Sequence, residues 1–171
     1  MAGIRIQGMT QVLMNLNREL DRIKYASLSG LIKYAVNVRR DMDKSPPLIP
    51  VDLGNLRSSF YIVTKLGVKQ GGQPRFRGDN SAELSGDHAA AIAEAQGIAR
   101  GIYNPTVVMG FSANYALWVH ENVDPDTIWS RPGSGPKFFE TALKNNVPNF
   151  IGTVGAEIIA SEYLASKGKK L

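Results

Sequence analysis

Cysteine is absent from the 171 residues of the chain, and histidine occurs only twice. The absence of cysteine excludes disulfides, thiol catalysis, thiolate zinc sites and iron–sulfur clusters. No apolar run approaches the roughly 18 residues that a membrane span requires, and the first residues lack the apolar core of a signal peptide. We therefore expect a protein that neither crosses a membrane nor carries a secretion leader.

The sequence also lacks the motifs of several enzyme classes. It contains neither the phosphate-binding loop that ends in Gly-Lys-Ser/Thr nor the dinucleotide-binding Gly-x-Gly-x-x-Gly. No His-Glu-x-x-His motif occurs, and the serines lack the context of a nucleophile elbow. The set His120, Glu121, Asp124 and Asp126 has metal-ligand chemistry, but this pattern favours a solvated acidic turn at a helix end. We expect no cofactor, no metal and no enzymatic activity.

Positive charge exceeds negative charge by a moderate margin. Twenty Lys and Arg residues against fifteen Asp and Glu give a net charge of +5, with a pI of about 9.5. Basic and aromatic residues are interleaved over one stretch, which has the composition of a platform for single-stranded nucleic acid. Its members are Arg57, Phe60, Tyr61, Lys65, Lys69, Arg75, Phe76 and Arg77. The alternative interpretation, a solvated basic face beside aromatic residues of a strand, is the simpler one.

Helical periodicity occurs at both ends of the chain. Apolar residues recur at steps of three and four over residues 9–24 and again over 28–42, where Gly30 weakens the first turn. A run of prolines ends the second of these helices. Two further helices are predicted for the C-terminal part, each starting at a proline, Pro136 and Pro148.

Residues that favour β-structure lie between these helices. Residues 57–66 and 104–111 are rich in aromatic and β-branched side chains and are predicted as strands. The apolar segment 114–121 is predicted to form one or two helical turns, with Trp118 packed beneath the sheet. The pattern predicts an α+β fold with N-terminal helices, a small, mostly antiparallel sheet and C-terminal helices packed on it. No linker divides the chain, so residues 1–171 are expected to form a single domain.

Residues 68–101 differ in composition from the rest of the chain. The stretch is rich in glycine, basic in its first part and acidic in its second, with a short helix predicted near residues 87–99. A structureless connection of this length is unusual inside a compact domain. The stretch is therefore either an insertion that meets a partner or a hairpin extension whose strands the sequence does not define. We expect it to be mobile in the isolated subunit and to be ordered by charged contacts with a neighbouring subunit.

Four sequence blocks occur in a recognisable order. They are Pro50-Val-Asp-Leu-Gly-Asn-Leu-Arg-Ser-Ser, Val107-Val-Met-Gly-Phe, Asn114-Tyr-Ala-Leu-Trp-Val-His-Glu and Pro136-Lys-Phe-Phe-Glu-Thr-Ala-Leu. In this order and spacing, they resemble the tail-completion family of long-tailed bacteriophages, which are neck or head–tail joining proteins. The resemblance covers most of residues 5–146. Asn122 departs from it, because the family usually has glycine there, and residues 68–101 are longer than the typical connection.

The resemblance implies a non-enzymatic structural protein of the virion neck or tail that is assembled in the host cytoplasm. Its subunits would form a homo-oligomeric ring, hexameric or dodecameric, between the head-side connector and the tail tube. Neighbouring neck, connector and tail-tube proteins would be its partners, and DNA would pass through the lumen without sequence-specific contact. A small basic nucleic-acid-binding protein remains the alternative.

Charged residues and one loop tryptophan are the candidates for subunit interfaces. Trp129 is included because loop tryptophans often anchor interfaces, and the charged residues because basic groups of one subunit can meet acidic groups of the next. The candidates are Arg57, Lys69, Arg75, Arg77, Asp79, Glu83, Asp87, Trp129 and Arg131.

Overall fold

The structure is a computed structural model that describes residues 9–168, and it has the α+β architecture that the sequence predicts. Helices flank a small sheet, as expected. The elements in chain order are α1 (Met9–Lys44), α2 (Asn55–Ser58), β1 (Phe60–Thr64), β2 (Gly67–Gln70), α3 (Ser81–Gly101), β3 (Val107–Phe111), α4 (Ala116–Glu121), α5 (Phe138–Asn146), a 3-10 turn (Val147–Asn149) and α6 (Phe150–Ser166).

A single helix of 36 residues, α1, replaces the two helices predicted for the N-terminal part. No proline lies between the two apolar stripes, so nothing ends the helix there. Gly30 lies where α1 meets α6, and a Cβ on it would come within 2.6 Å of the Val154 Cα. The prediction of two helices is wrong because the break in the apolar spacing between Ile23 and Leu28 does not end the helix.

The sheet has three strands in the order β2-β1-β3, and both pairings are antiparallel. Phe60 pairs with Phe111 at one end of the β1–β3 ladder, and Thr64 pairs with Val107 at the other. Both predicted strands are confirmed, although the first is shorter than residues 57–66 because the residues before it form the helical turn α2. Strand β2 was not predicted.

The core lies between the sheet and the helices on its two faces. Helices α1 and α5 supply fully buried side chains, among them Val38, Met42 and Phe138, which pack with Ile62 of the central strand. Helix α3 covers the opposite face, since Tyr61 lies edge-on to His88 with ring centroids 6.2 Å apart and successive strand residues point to opposite faces. Within residues 9–168, no helix is both long and apolar enough to span a membrane.

Within residues 68–101, helix α3 packs against the sheet, whereas residues 71–83 are exposed or only partly buried; the ordering of this stretch by a neighbour stays a prediction. The predicted helix is longer than expected, Ser81–Gly101, and buries Leu84 and His88. The His88 ring is 3% exposed; its Nδ1 lies 2.6 Å from the Ser112 Oγ and its Nε2 lies 2.5 Å from the Gly71 carbonyl oxygen. These contacts connect α3 to the segments that follow β2 and β3, so they lie within the subunit.

Candidate interaction surfaces

A groove of about 540 Å³ opens between the segment before α2, the approach to α3 and the α4 region. Three of the apolar side chains that line it are well exposed: Leu53 at 52%, Trp118 at 69% and Ile128 at 96%. A concave surface that exposes large apolar side chains is typical of a binding site. We name this surface the groove.

Two asparagines hold the walls of the groove. The Asn55 Nδ2 donates to the Arg77 carbonyl oxygen, and the Arg77 N–H donates to the Asn55 Oδ1, both at 2.8 Å. In the opposite wall, the Asn122 Nδ2 donates to the Thr127 Oγ1 at 3.0 Å, and its Oδ1 accepts the Asp124 N–H at 3.2 Å. The asparagine that departs from the family resemblance therefore orders the loop that carries Ile128.

The charges along the groove are mostly negative. Asp52, Asp79 and Glu83 line it, and Arg77 is the basic residue among its lining residues. The groove therefore presents an apolar floor with an acidic rim.

A second feature is a set of arginines around one carboxylate. The Arg39 Nη1 lies 2.5 Å from the Asp43 Oδ2, the Arg57 Nε lies 3.0 Å from its Oδ1, and the Arg131 Nη1 lies 3.8 Å from the same oxygen. Arg131 also donates through Nη2 to the Asp43 carbonyl oxygen at 3.0 Å. We name Arg39, Arg57 and Arg131 the arginine cluster.

The arginine cluster has more positive charge than Asp43 neutralises. Three guanidinium groups around one carboxylate leave a net charge of about +2. Burial lowers the pKa of Arg39; Asp43 opposes this shift, whereas the like charges of Arg57 and Arg131 add to it. A second anion at the cluster would relieve this repulsion.

The third feature is the N-terminal part of α1, residues 10–24, which we name the arm. Its apolar stripe is between 39% and 62% exposed. The stripe consists of Val12, Leu13, Leu16, Leu20 and Ile23. The sequence predicts a buried stripe here, and this prediction is wrong for the isolated subunit because the described residues leave that side of the arm uncovered.

The structure brings some of the nine interface candidates together and separates others. The groove contains Arg77, Asp79, Glu83 and Trp129, and the arginine cluster contains Arg57 and Arg131. Lys69 and Arg75 are exposed on β2 and the loop after it, and Asp87 lies on α3. Sequence reasoning missed Arg39, Asp43, Ile128 and the arm, and it placed Trp118 beneath the sheet although that ring is exposed.

His120 caps a helix in this structure. Its Nε2 accepts the Glu140 N–H at 3.3 Å in the first turn of α5, and its Nδ1 lies 2.8 Å from the Glu121 Oε1. A hydrogen bond from Lys137 lowers the pKa of Glu121. Between residues 9 and 168, no three histidine or carboxylate side chains are grouped as metal ligands would be.

The chain matched no protein-family model, no curated protein and no solved structure. Among residues 9–168, the surfaces open to a partner include the groove and the arm, which expose apolar side chains, and the arginine cluster with its surplus positive charge. The functional proposal rests on these features and on the family resemblance of the four sequence blocks.

Proposed function

We propose that the protein is a structural, non-enzymatic subunit of a bacteriophage neck. It forms a ring of six or twelve copies between the head-side connector and the tail tube. Its partners are further copies of itself and the neighbouring neck, connector and tail-tube proteins. DNA passes through the lumen of the ring without sequence-specific contact.

The observation that carries the proposal is the pair of unlike apolar surfaces on one subunit. Monomeric soluble proteins rarely expose contiguous apolar patches of more than a few hundred Å². The arm lies at the start of α1, whereas the groove is lined by the segment that follows its C-terminal end, where the Ile49 N–H donates to the Met42 carbonyl oxygen. The part of α1 between Leu16, in the middle of the arm, and its end at Lys44 spans about 40 Å at 1.5 Å per residue.

This separation supports a ring. Two surfaces at opposite ends of a subunit engage two different neighbours at the same time, and contacts between unlike surfaces generate closed rings when the rotation closes. A subunit that needs neighbours to cover its apolar surface is typical of a structural assembly.

One observation supports the alternative, a nucleic-acid-binding protein. Lys65, Lys69 and Arg75 form no ion pair with any residue between 9 and 168, so their charges are available to a polyanion. The aromatic residues of the stretch argue against a stacking platform, because Phe60 is buried and Phe76 packs against the His88 ring at 5.9 Å. Bases need exposed ring faces on which to stack.

A genetic experiment tests the neck proposal. A nonsense codon early in the gene, in the phage genome that encodes the chain, is expected to produce DNA-filled heads and separate tails that lack the ring that completes them. A plasmid copy of the gene is expected to restore joined particles. Normal particles from the nonsense mutant would exclude the role in the neck.

A binding experiment separates the two candidate functions. The purified protein is titrated with short single-stranded and double-stranded DNA at several salt concentrations. Affinity that falls steeply with salt indicates phosphate contacts and counterion release and would favour the nucleic-acid-binding protein. We expect weak binding without preference for sequence.

A further inference from the structure

Helix α3 carries a row of carboxylates along one side, where Glu83 and Glu94 are exposed and Asp87 is half-buried. Glu83, Asp87 and Glu94 are spaced by four and seven residues, which places them along one line of the helix. None of the three forms an ion pair or a side-chain hydrogen bond with another residue of the described chain. Glu83 lies in the first turn, where the helix dipole favours it, but Asp87 and Glu94 lie beyond that turn. We name these residues the acidic row.

The arginine cluster has donors that Asp43 leaves unused. The Arg131 Nη1 is buried and has no hydrogen-bond partner among residues 9–168. Arg57, whose side chain is 49% exposed, contacts Asp43 through Nε, and its Nη nitrogens donate no hydrogen bond within the described chain. An arginine in this arrangement presents the fork that binds a carboxylate bidentately.

The arginine cluster and helix α3 lie on opposite faces of the sheet. The Arg39 guanidinium lies 5.3 Å from the centre of the Phe60 ring, on the face that α1 covers. The next residue, Tyr61, points to the opposite face, which α3 covers. Glu83, at the start of α3, lines the groove together with Asn55 and Leu56, but no ion pair joins the acidic row to the arginine cluster among residues 9–168, so both keep charges for a neighbour.

We propose that the arginine cluster of one copy binds the acidic row of the next copy, with Arg57 directed at Glu83 and Asp87. The proposal rests on the ring function and names the charged contact within it. A cluster with surplus positive charge and a row of carboxylates complement each other, and because they are different surfaces of the subunit, the contact joins unlike surfaces of two copies. Arg57, Glu83 and Asp87 are candidates from the sequence, and Arg39, Asp43 and Arg131 complete the basic side.

Site-directed cross-linking tests this contact, because the chain contains no cysteine that would compete. The double variant Ser58→Cys/Ala82→Cys, which places thiols beside Arg57 and Glu83 and leaves both charges in place, is treated with a short bismaleimide cross-linker, both as purified protein and in joined phage particles. A heterologous contact links each copy to two neighbours, so a ladder of multimers up to the full ring is expected on a denaturing gel. Cross-linking that stops at the dimer, or none in particles that contain the protein, would overturn the proposal.

Matched variants establish specificity. Ser58→Cys/Glu162→Cys places the second thiol on an exposed position of α6, and no ladder is expected from it. In a second measurement, Arg57→Glu and Glu83→Lys are each expected to raise the concentration for half-assembly at least tenfold. The combination Arg57→Glu/Glu83→Lys is expected to recover part of that loss, because the two charges are exchanged. Far-ultraviolet circular dichroism checks that each variant folds.

The outcomes also separate this contact from the neck function. Joined particles that contain the protein but give no ladder would contradict the proposed contact and would be consistent with the ring. Joined particles formed in the complete absence of the protein would contradict the proposed neck function and, with it, the proposed contact.

Discussion

The side-chain amide of Asn55 forms two hydrogen bonds with the backbone of Arg77, one to its carbonyl oxygen and one from its N–H, both of 2.8 Å. Asn55 is 8% exposed, so water does not easily replace these bonds. The contact joins the turn before β1 to the loop before α3 and thereby sets the distance between two walls of the groove.

Loss of this amide is expected to destabilise the fold. Asn55→Ala leaves a backbone donor and a backbone acceptor without their partner, which costs about 2 kcal/mol of the free energy of unfolding. Asn55→Asp keeps the acceptor for the Arg77 N–H but places a carboxylate against the carbonyl oxygen, so we expect a loss at least as large. Urea denaturation measures both. Asn17→Ala, an exposed substitution in the arm, is the control, and an equal loss there would contradict the interpretation.

The close approach of α1 and α6 requires a glycine at position 30. A Cβ on Gly30 would lie 2.6 Å from the Val154 Cα, which is a backbone atom that a rotamer change does not move. Gly30→Ala is therefore expected to destabilise the protein by about 1–3 kcal/mol through overpacking. Gly155→Ala, also within a helix but with open space around it, is expected to stabilise the protein by about 0.5–1 kcal/mol. Thermal unfolding of the two variants distinguishes these effects by sign.

Glu157 connects α6 to α1, and its contribution depends on pH. Hydrogen bonds from Lys33 and Ser29 lower its pKa below the ordinary value of 4.5. A lowered pKa in the folded state stabilises the fold above the ordinary pKa, and this contribution is lost as the pH falls through the lowered value. Because Lys33 is exposed, we expect Glu157→Gln to cost under about 1 kcal/mol at neutral pH.

The measurement is denaturation of the wild-type protein and Glu157→Gln at neutral and strongly acidic pH. The difference in the free energy of unfolding is expected at neutral pH and is expected to vanish in acid. Glu162→Gln is the control, because Glu162 forms no ion pair with a described residue. A difference that persists unchanged in acid would show that the carboxylate charge is not its cause.

The sequence predicts the secondary structure of this chain better than it predicts what covers each element. The strand β1 follows from the run Phe60–Thr64, whose residue types favour a half-buried strand. The apolar steps in α1 identify a helix and its apolar side, but the same spacing gives a buried stripe near Val38 and an exposed one near Leu16. Periodicity indicates which face of a helix is apolar, whereas the burial of that face depends on which other elements cover it.

The candidate site also depends on contacts that a local sequence pattern does not predict. Arg57 and Arg131 were both named from the sequence, but their meeting at Asp43 depends on how the loop after α4 folds back onto the end of α1. Two backbone hydrogen bonds between Leu48 and the Gly133–Gly135 segment fix that loop. No local pattern encodes a contact across such a separation. Trp118 was misplaced because a helix of two turns is too short for its spacing to indicate which side is buried.

The arm offers the most direct test of whether exposed apolar surface drives assembly. Leu16 is 53% exposed and Leu20 is 46% exposed, so Leu16→Gln/Leu20→Gln removes apolar surface without opening a cavity. Glutamine forms helices about as well as leucine, and the free energy of unfolding of the subunit is expected to change by less than about 0.5 kcal/mol.

Assembly is expected to respond strongly to the same change. About half of each leucine remains to be buried, which contributes about 0.8 kcal/mol or more per side chain, so the double variant is expected to raise the concentration for half-assembly at least about tenfold. Sedimentation velocity over a range of concentrations measures this shift. Leu66→Gln is the matched control, because Leu66 is 54% exposed in the turn between β1 and β2, outside the arm. If the arm variant assembles as well as this control, the arm is solvated in the ring as it is in the subunit, and its apolar stripe contributes nothing to the interface.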